Sequence, residues 1–239
     1  MPLLTGRVVL VTGASRGIGA AVAEACAAEG AKLVLVARTR GGLEEVDDRV
    51  RALGSGATLV QLDLTRGELI DALGPAIFEK HGRLDGLVAC AGQLGKLSPV
   101  PHLDPKLLER LYALNVLANH RLIRTLDPLL RASDAGRAVF VTDSRASAGP
   151  AYWGGYGATK AALETMARAW AAESARITRL RVNLVDPGPV RTRLREDAFP
   201  GEPTERVPTP AEVAVGIVRL LTPAWDRSGE LVRLAAERA

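Results

Sequence analysis

Tyr156 and Lys160 stand four residues apart in Gly154-Gly155-Tyr156-Gly157-Ala158-Thr159-Lys160. The stretch opens a long apolar helical pattern, and on a helix this spacing puts both side chains on one face. An ammonium beside a phenol favours the phenolate and lowers the phenol's pKa from its usual value of about 10. A tyrosine tuned in this way can give or take a proton near neutral pH. Tyr-x-x-x-Lys also arises by chance in helices, as a packed tyrosine and a solvated lysine, so the pair takes its meaning from the rest of the chain.

A second group of residues has the means to hold phosphate. Thr12-Gly13-Ala14-Ser15-Arg16-Gly17-Ile18-Gly19 carries glycines at G-x-x-x-G-x-G spacing, between an apolar run and an Ala-rich helical pattern. Gly13 permits a tight turn, Gly17 leaves room for a pyrophosphate, and Gly19 lets helix and strand pack closely. Free N–H groups and the positive dipole end at the helix start attract phosphate. Gly13, Ser15, Arg16, Gly17, Ile18 and Gly19 therefore form a candidate dinucleotide cradle. The next strand ends Val36-Ala37-Arg38-Thr39-Arg40, with no acid at its tip. NAD sites usually place Asp or Glu there for the ribose hydroxyls. Arg38, beside Thr39, can instead meet a 2′-phosphate, with Arg16 clamping from the turn, because the arginine fork matches phosphate geometry. NADP(H) is the expected cofactor rather than NAD(H).

The elements that must position these residues alternate regularly. Apolar runs at 7–12, 32–37, 58–62, 87–90, 138–142, 180–185 and 230–234 read as strands. Helical patterns occupy 18–29, 43–53, a stretch ending at His81-Gly82, two segments within 105–131, a segment from Tyr156 to about Ser174, and one starting near Pro210. Fully apolar strands separated by helices indicate a parallel sheet buried on both faces. Right-handed crossovers then give an α/β, doubly wound (Rossmann) domain with a seven-stranded, mostly parallel sheet and helices on both faces. No linker or repeat divides residues 1–239, which read as one domain. Residues 200–210 hold four prolines in eleven residues. A long irregular loop inside a compact domain leans toward function, so 190–210 is the expected substrate lid.

Composition narrows the function classes. The chain has 239 residues, 47% hydrophobic and 24% charged, with a net charge of +4 dominated by arginine. The charges are scattered and only 4% of residues are aromatic, which argues against a nucleic-acid surface. Cys26 and Cys90 show neither disulfide nor metal spacing. No metal is expected, and both cysteines read as reduced packing residues. The N-terminus lacks a signal-peptide pattern, and no run reaches the ~18–20 apolar residues of a membrane span. A cytoplasmic protein without membrane or nucleic-acid partners is expected.

Taken together, the glycine turn and the Tyr156–Lys160 pair resemble those of the short-chain dehydrogenase/reductase family, in its compact single-domain branch, and the resemblance spans essentially the whole chain. It implies an enzyme moving a hydride between the nicotinamide and a small carbonyl or alcohol, with Tyr156 as general acid/base. Lys160 would lower the tyrosine pKa and hold the nicotinamide ribose. Asn115, in Leu114-Asn115-Val116, is similar to the family's catalytic-helix asparagine and would fix a water in a proton relay. Asp63, next to Leu64, resembles the acid that binds the adenine amino group. Cys90-Ala91-Gly92 resembles the N-A-G motif with Cys in place of Asn. Pro187-Gly188-Pro189-Val190-Arg191-Thr192 resembles P-G-x-x-x-T, which implies nicotinamide contacts from Pro187, Gly188, Val190 and Thr192. The family also implies a homodimer or homotetramer through helices 115–131 and 156–174.

One position departs from the pattern. The family's serine lies thirteen residues before the tyrosine, where this chain has Asp143, with Ser144 next to it. Neighbours on a continuing strand point to opposite faces, so a regular strand would aim the carboxylate at the substrate oxygen. Ionised, it would raise the pKa of Tyr156; protonated, it could donate a hydrogen bond. If the strand ends early and a bulge turns Ser144 inward, Ser144 takes the serine role, and this is the assignment adopted. The alternative is a dinucleotide-binding sensor or scaffold with little turnover. The substrate pocket is expected from residues 93–97, 146–153 and 190–210. Leu94, Leu97, Tyr152 and Trp153 would form an apolar wall, and Arg191, Arg193, Arg195 and Arg206 are either an anion-greeting rim or a solvated surface.

Overall fold

A computed structural model of the chain describes residues 2–203, 205 and 207–234. Seven strands, β1 (Val8–Thr12), β2 (Lys32–Ala37), β3 (Ala57–Gln61), β4 (Gly86–Ala89), β5 (Arg137–Val141), β6 (Arg181–Asp186) and β7 (Leu231–Arg233), form one sheet in the order β3-β2-β1-β4-β5-β6-β7. Every pairing is parallel, so the sheet is wholly rather than mostly parallel. The order reverses direction between β1 and β4, which opens a crevice at the carboxyl ends of these strands.

Ten helices flank the sheet: α1 (Gly17–Ala28), α2 (Arg40–Ala52), α3 (Gly67–Asp71), α4 (Leu73–His81), α5 (Pro105–Tyr112), α6 (Ala118–Arg131), α7 (Ser144–Ser147), α8 (Gly154–Ala175), α9 (Arg193–Ala198) and α10 (Pro210–Arg219), counted among the described residues. The alternation of β1 divides the core. Val8 and Leu10 pack with Leu126, Leu163 and Trp170 on one face, and Val9 and Val11 pack with Val22, Leu43 and Ile217 on the other. Each such fully buried side chain contributes roughly 1.5–3 kcal/mol relative to exposure. With so few aromatics, aliphatic packing carries most of this core. Phe140 and Trp170 add one edge-to-face contact at 6.1 Å.

Several boundaries differ from the sequence expectation, each for a local reason. The helix ending at His81 is split at Ala72, where Gly74 backs onto the Thr125 carbonyl so closely that a Cβ would lie 2.4 Å from it. The helix pair in 105–131 is joined by a π-helical turn over Ala113–Leu117 rather than a loop. Such turns accommodate one extra residue and gather at functional sites; this one carries Asn115. β5 stops at Val141 and α7 begins at Ser144, so a helical turn, not a bulge, redirects the chain there. Within the expected lid, 193–198 is helical, capped by Thr192, whose hydroxyl accepts from Arg195 N. The lid residues Thr204 and Arg206 lie outside the described residues.

Candidate active site

The glycine turn is built by close approach. Gly13 has φ +66°, and a Cβ on it would lie 3.0 Å from both Ala91 N and Ala91 Cα. A Cβ on Gly19 would lie 2.4 Å from the Gly13 carbonyl oxygen. Gly17 has φ +57° and faces the Thr192 methyl. Thr12 Oγ1 accepts from Ala91 N at 3.2 Å, which ties the end of β1 to the Cys90-Ala91-Gly92 segment. Arg16 occupies the N-cap of α1 without a side-chain cap, and the first turn carries no acid. Its amides are therefore left for an external anion.

Around this cradle, Ser15 and Ile18 are half-buried and Arg16, Arg38 and Thr39 are exposed. Asp63 Oδ1 accepts from Thr65 N and Thr65 Oγ1, at 2.9 and 2.8 Å. These bonds, the backbone one foremost, hold its carboxyl below the usual range, with the Arg38 charge adding to the effect. The Leu64 side chain packs in the core, which leaves only its main chain for a ligand. Cys90 is half-buried, and loss of solvation pushes its thiol up to about 12. It stays a neutral thiol, a packing group rather than a nucleophile.

Lys160 and Asn115 converge beside Gly92, with Tyr156 next to Lys160. Lys160 Nζ lies 5.4 Å from the Tyr156 ring centroid and donates to the Val141 carbonyl at 2.9 Å. Asn115 exchanges two 3.0 Å hydrogen bonds with the Gln93 backbone and donates to Thr159 Oγ1 at 3.0 Å. Thr159 Oγ1 in turn donates to the Tyr156 carbonyl at 2.7 Å. Asn115 thus joins the π-turn, the β4 loop and the second turn of α8, and both of its amide hydrogens are engaged within the protein. A Cβ on Gly92 would sit 3.4 Å from Asn115 Oδ1 and 3.8 Å from Lys160 Nζ. Asn115 and Lys160 therefore meet the Cys90-Ala91-Gly92 segment at one residue.

The electrostatics differ from the sequence expectation. Tyr156 is raised far above its ordinary pKa, first by burial, then by the charges of Asp143 and Asp186. Burial also lowers Lys160, against the pull of Asp143 and other nearby acids. Burial and the two carboxylates together favour the protonated, neutral form of Tyr156.

Asp143 and Ser144 both line the same cleft, because the chain turns into α7 between them and the strand alternation no longer applies. Asp143 caps α7 by accepting from Ala146 N at 2.9 Å. The Ser144 hydroxyl donates to Asp186 Oδ2, and Arg233 Nε approaches Ser144 Oγ at 3.4 Å. Asp186 also accepts from Gly188 N at 2.9 Å, and so reaches into the Pro187–Thr192 segment. There Gly188 takes φ +68°, Val190 is buried, and Thr192 caps α9.

The cleft has a volume of about 630 Å³. Its apolar side comprises Ala146, Pro150, Trp153 and Phe199; its polar side comprises Asp143, Ser144, Asp186 and Arg233. Trp153 bridges Tyr156 (centroids 6.0 Å apart) and Phe199 (5.8 Å). Arg195 stacks on Phe199 at 3.7 Å and pairs with both oxygens of Glu202, so this arginine of the expected rim is neutralised inside the lid. Of the expected apolar wall, Trp153 lines the cleft, while Leu94 and Leu97 pack with it around Tyr156 behind the cleft surface. Tyr152 does not: it is 60% exposed with φ +73°, a left-handed backbone that turns it away from that cluster. Phe199 and Glu202 fall within the expected lid, 190–210, but were not singled out there; Asp186 and Arg233 had no sequence signal beyond the closeness of Asp186 to Pro187-Gly188. Among the described residues, no group of His, Cys, Asp and Glu could hold a metal, and no helix is long and apolar enough to cross a membrane.

A parallel sheet with a glycine cradle at its crevice, and a Tyr–Lys–Asn group beside it, defines a dinucleotide-dependent oxidoreductase class. The short chain dehydrogenase family model matches residues 7–203, and the chain belongs to that family of NAD(P)-dependent oxidoreductases. It is 38% identical over 214 residues to the oxidoreductase YciK of Escherichia coli K12, covering 88% of this chain and 84% of that protein. A short chain dehydrogenase from Pseudomonas syringae superposes with a TM-score of 0.94 at 35% identity, covering 98% and 96% of the two chains. Another, from Escherichia coli CFT073 and complexed with NADPH, superposes at 0.93 with 35% identity and 98% of both chains covered.

Proposed function

We propose that the protein is an NADP(H)-dependent reductase of a small carbonyl compound, with Tyr156 as the proton donor. The observation that carries this reading is the convergence of Asn115 and Lys160 on Gly92, at the wall of a cradle that side chains at Gly13 and Gly19 would fill. The amides of α1 at Gly17, Ile18 and Gly19, with Ser15 and Arg16, would hold the pyrophosphate. Arg38 and Thr39 would take the 2′-phosphate, and Asp63 and the Leu64 main chain would border the adenine. Cys90, Ala91 and Gly92 would form the facing wall, and Pro187, Gly188, Val190 and Thr192 the carboxamide end. When bound, NADP(H) supplies the hydride chemistry. NADPH in the structural neighbour from Escherichia coli CFT073 supports the choice of cofactor.

A neutral buried phenol suits the reductive direction, because it has a proton to give to the carbonyl oxygen. Lys160 would hold the ribose and place its charge beside the Tyr156 ring. Asn115 would fix the helix turn on which the relay to solvent is built, and Ser144 would donate to the substrate oxygen. A sensor without turnover is not favoured, since it would have no use for this group. The lid, 190–210, would close over the cleft through α9 and Phe199. A homodimer or homotetramer in the cytoplasm completes the proposal, and the native mass in solution tests the assembly. The direct test of function is NADPH consumption across a panel of small ketones and aldehydes, with the Tyr156→Phe variant as control. No Tyr156-dependent turnover on any of them would refute the reading.

Two further results are expected. Arg38→Ala should raise KM for NADPH about 10-fold or more while leaving KM for NADH little changed, because a charge-assisted hydrogen bond to phosphate is lost; steady-state kinetics with each cofactor checks this. Asp143→Asn removes one of the two negative charges that raise Tyr156. Reduction fails where the phenol loses its proton, so the alkaline limit of the kcat profile should move to lower pH. An unmoved or raised limit would contradict the charge assignment.

A further inference from the structure

The Ser144 hydroxyl has one proton to donate and two lone pairs to offer. Its proton is directed to Asp186 Oδ2, and Arg233 Nε faces its oxygen at 3.4 Å. Asp186 and Arg233 are level with each other across the β6–β7 pairing. The edge strand near the end of the chain and the last residue of β6 therefore close on Ser144 from two sides. The same carboxylate accepts from Ser144 N at 3.3 Å and from Gly188 N at 2.9 Å. One acid thus fastens the start of α7 to the Pro187-Gly188 turn.

We propose that Asp186, backed by Arg233, is a positioning residue that stores the Ser144 proton away from the substrate oxygen and limits how far Ser144 contributes to turnover. This rests on the reading of Ser144 as a donor to that oxygen. A serine whose proton goes to a carboxylate can donate to a carbonyl only by breaking a charge-assisted bond. A carbonyl substrate must therefore compete with Asp186 for the Ser144 proton. The burden of polarising the substrate oxygen shifts toward Tyr156, which packs behind the cleft residues Trp153 and Ala146. In this arrangement the departure from the family's serine position is matched by a second acid one strand away.

The test is a double-mutant cycle on the NADPH-bound enzyme with a turned-over ketone. Ser144→Ala is made in the wild-type and Asp186→Ala backgrounds, and kcat and KM are measured in each. The factor by which Ser144→Ala lowers kcat is expected to be about 10-fold larger in the Asp186→Ala background, the scale of a hydrogen bond to a charged group. Equal factors in the two backgrounds would overturn the proposal. Asp186→Asn keeps the shape and a neutral acceptor, and should enlarge the factor to an intermediate degree. It serves as the decisive background if Asp186→Ala does not fold, and an unchanged factor there counts against the proposal equally. A second readout needs no turnover. Amide hydrogen exchange at Ser144 and Gly188 should quicken in Asp186→Ala or Asp186→Asn, and unchanged protection would also overturn the clamp. Tyr156→Phe separates the two readings: if it retains full kcat, the assigned function fails; if it loses kcat while the Ser144 factors are equal, only the clamp fails.

Discussion

Replacing Tyr156 with phenylalanine is expected to lower kcat for carbonyl reduction by about 10²–10⁴-fold, the usual contribution of a positioned general acid. The ring would stay, and with it the contacts to Trp153 and to Leu94 and Ala146. Affinity for NADPH and thermal stability should therefore change little, which separates loss of a proton donor from loss of structure. Phenylalanine cannot give a proton, and Tyr156 packs directly against Trp153 and Ala146, which line the cleft. Steady-state kinetics, with NADPH binding followed by fluorescence titration, would check both halves. A kcat within a fewfold of the wild type would mean that the proton comes from elsewhere, and the mechanism would have to be redrawn around Asp143 or solvent.

Gly19→Ala is expected to be the most damaging change outside the catalytic group. Its new methyl would lie 2.4 Å from the Gly13 carbonyl oxygen and 2.8 Å from the Gly13 carbonyl carbon, both main-chain atoms that cannot swing aside. Overpacking of this kind costs about 1–3 kcal/mol, occasionally more, so a fall in Tm on the order of 5 °C or more should follow. The larger effect is on function. The start of α1 would be pushed off the glycine turn, and the amides meant for the pyrophosphate would no longer converge. NADPH binding should fall by at least about 10-fold if only one charge-assisted hydrogen bond is lost, and by more if several are. Gly41→Ala is the control, because open space surrounds that position. Near-normal NADPH affinity in Gly19→Ala would show that the cradle tolerates the shift.

Much of this site was legible because its signals are local. The glycine spacing reports backbone positions that tolerate no Cβ, and Gly13 and Gly19 prove to be such positions. Tyr156 and Lys160 share one face because helical spacing leaves no choice. The seven strands were readable because a sheet covered on both sides needs uninterrupted apolar runs. Short elements were less legible. α7 is four residues and α9 six, too short for an apolar period to declare itself, and both are held by side-chain caps from Asp143 and Thr192. The break between α3 and α4 was hidden because the Thr125 hydroxyl, which accepts from Gly74 N and donates to the Asp71 carbonyl there, lies far along the chain.

The sequence by itself determined the fold class, the family, the close-packed glycine turn and the Tyr–Lys pair, since each depends on residue type and short-range spacing. Only the tertiary structure decided what surrounds the phenol. Helical spacing placed Lys160 beside Tyr156 and suggested a depressed pKa; packing buried both and brought Asp143 and Asp186 close enough to reverse the shift. At Asp143 and Ser144 the chain turns into α7 instead of continuing the strand alternation, so both residues line the cleft. The partners of Ser144 come from β6 and β7, 42 and 89 residues away. Electrostatic environment depends on distance through space and on exclusion of water, and neither is written in the order of residues along a chain.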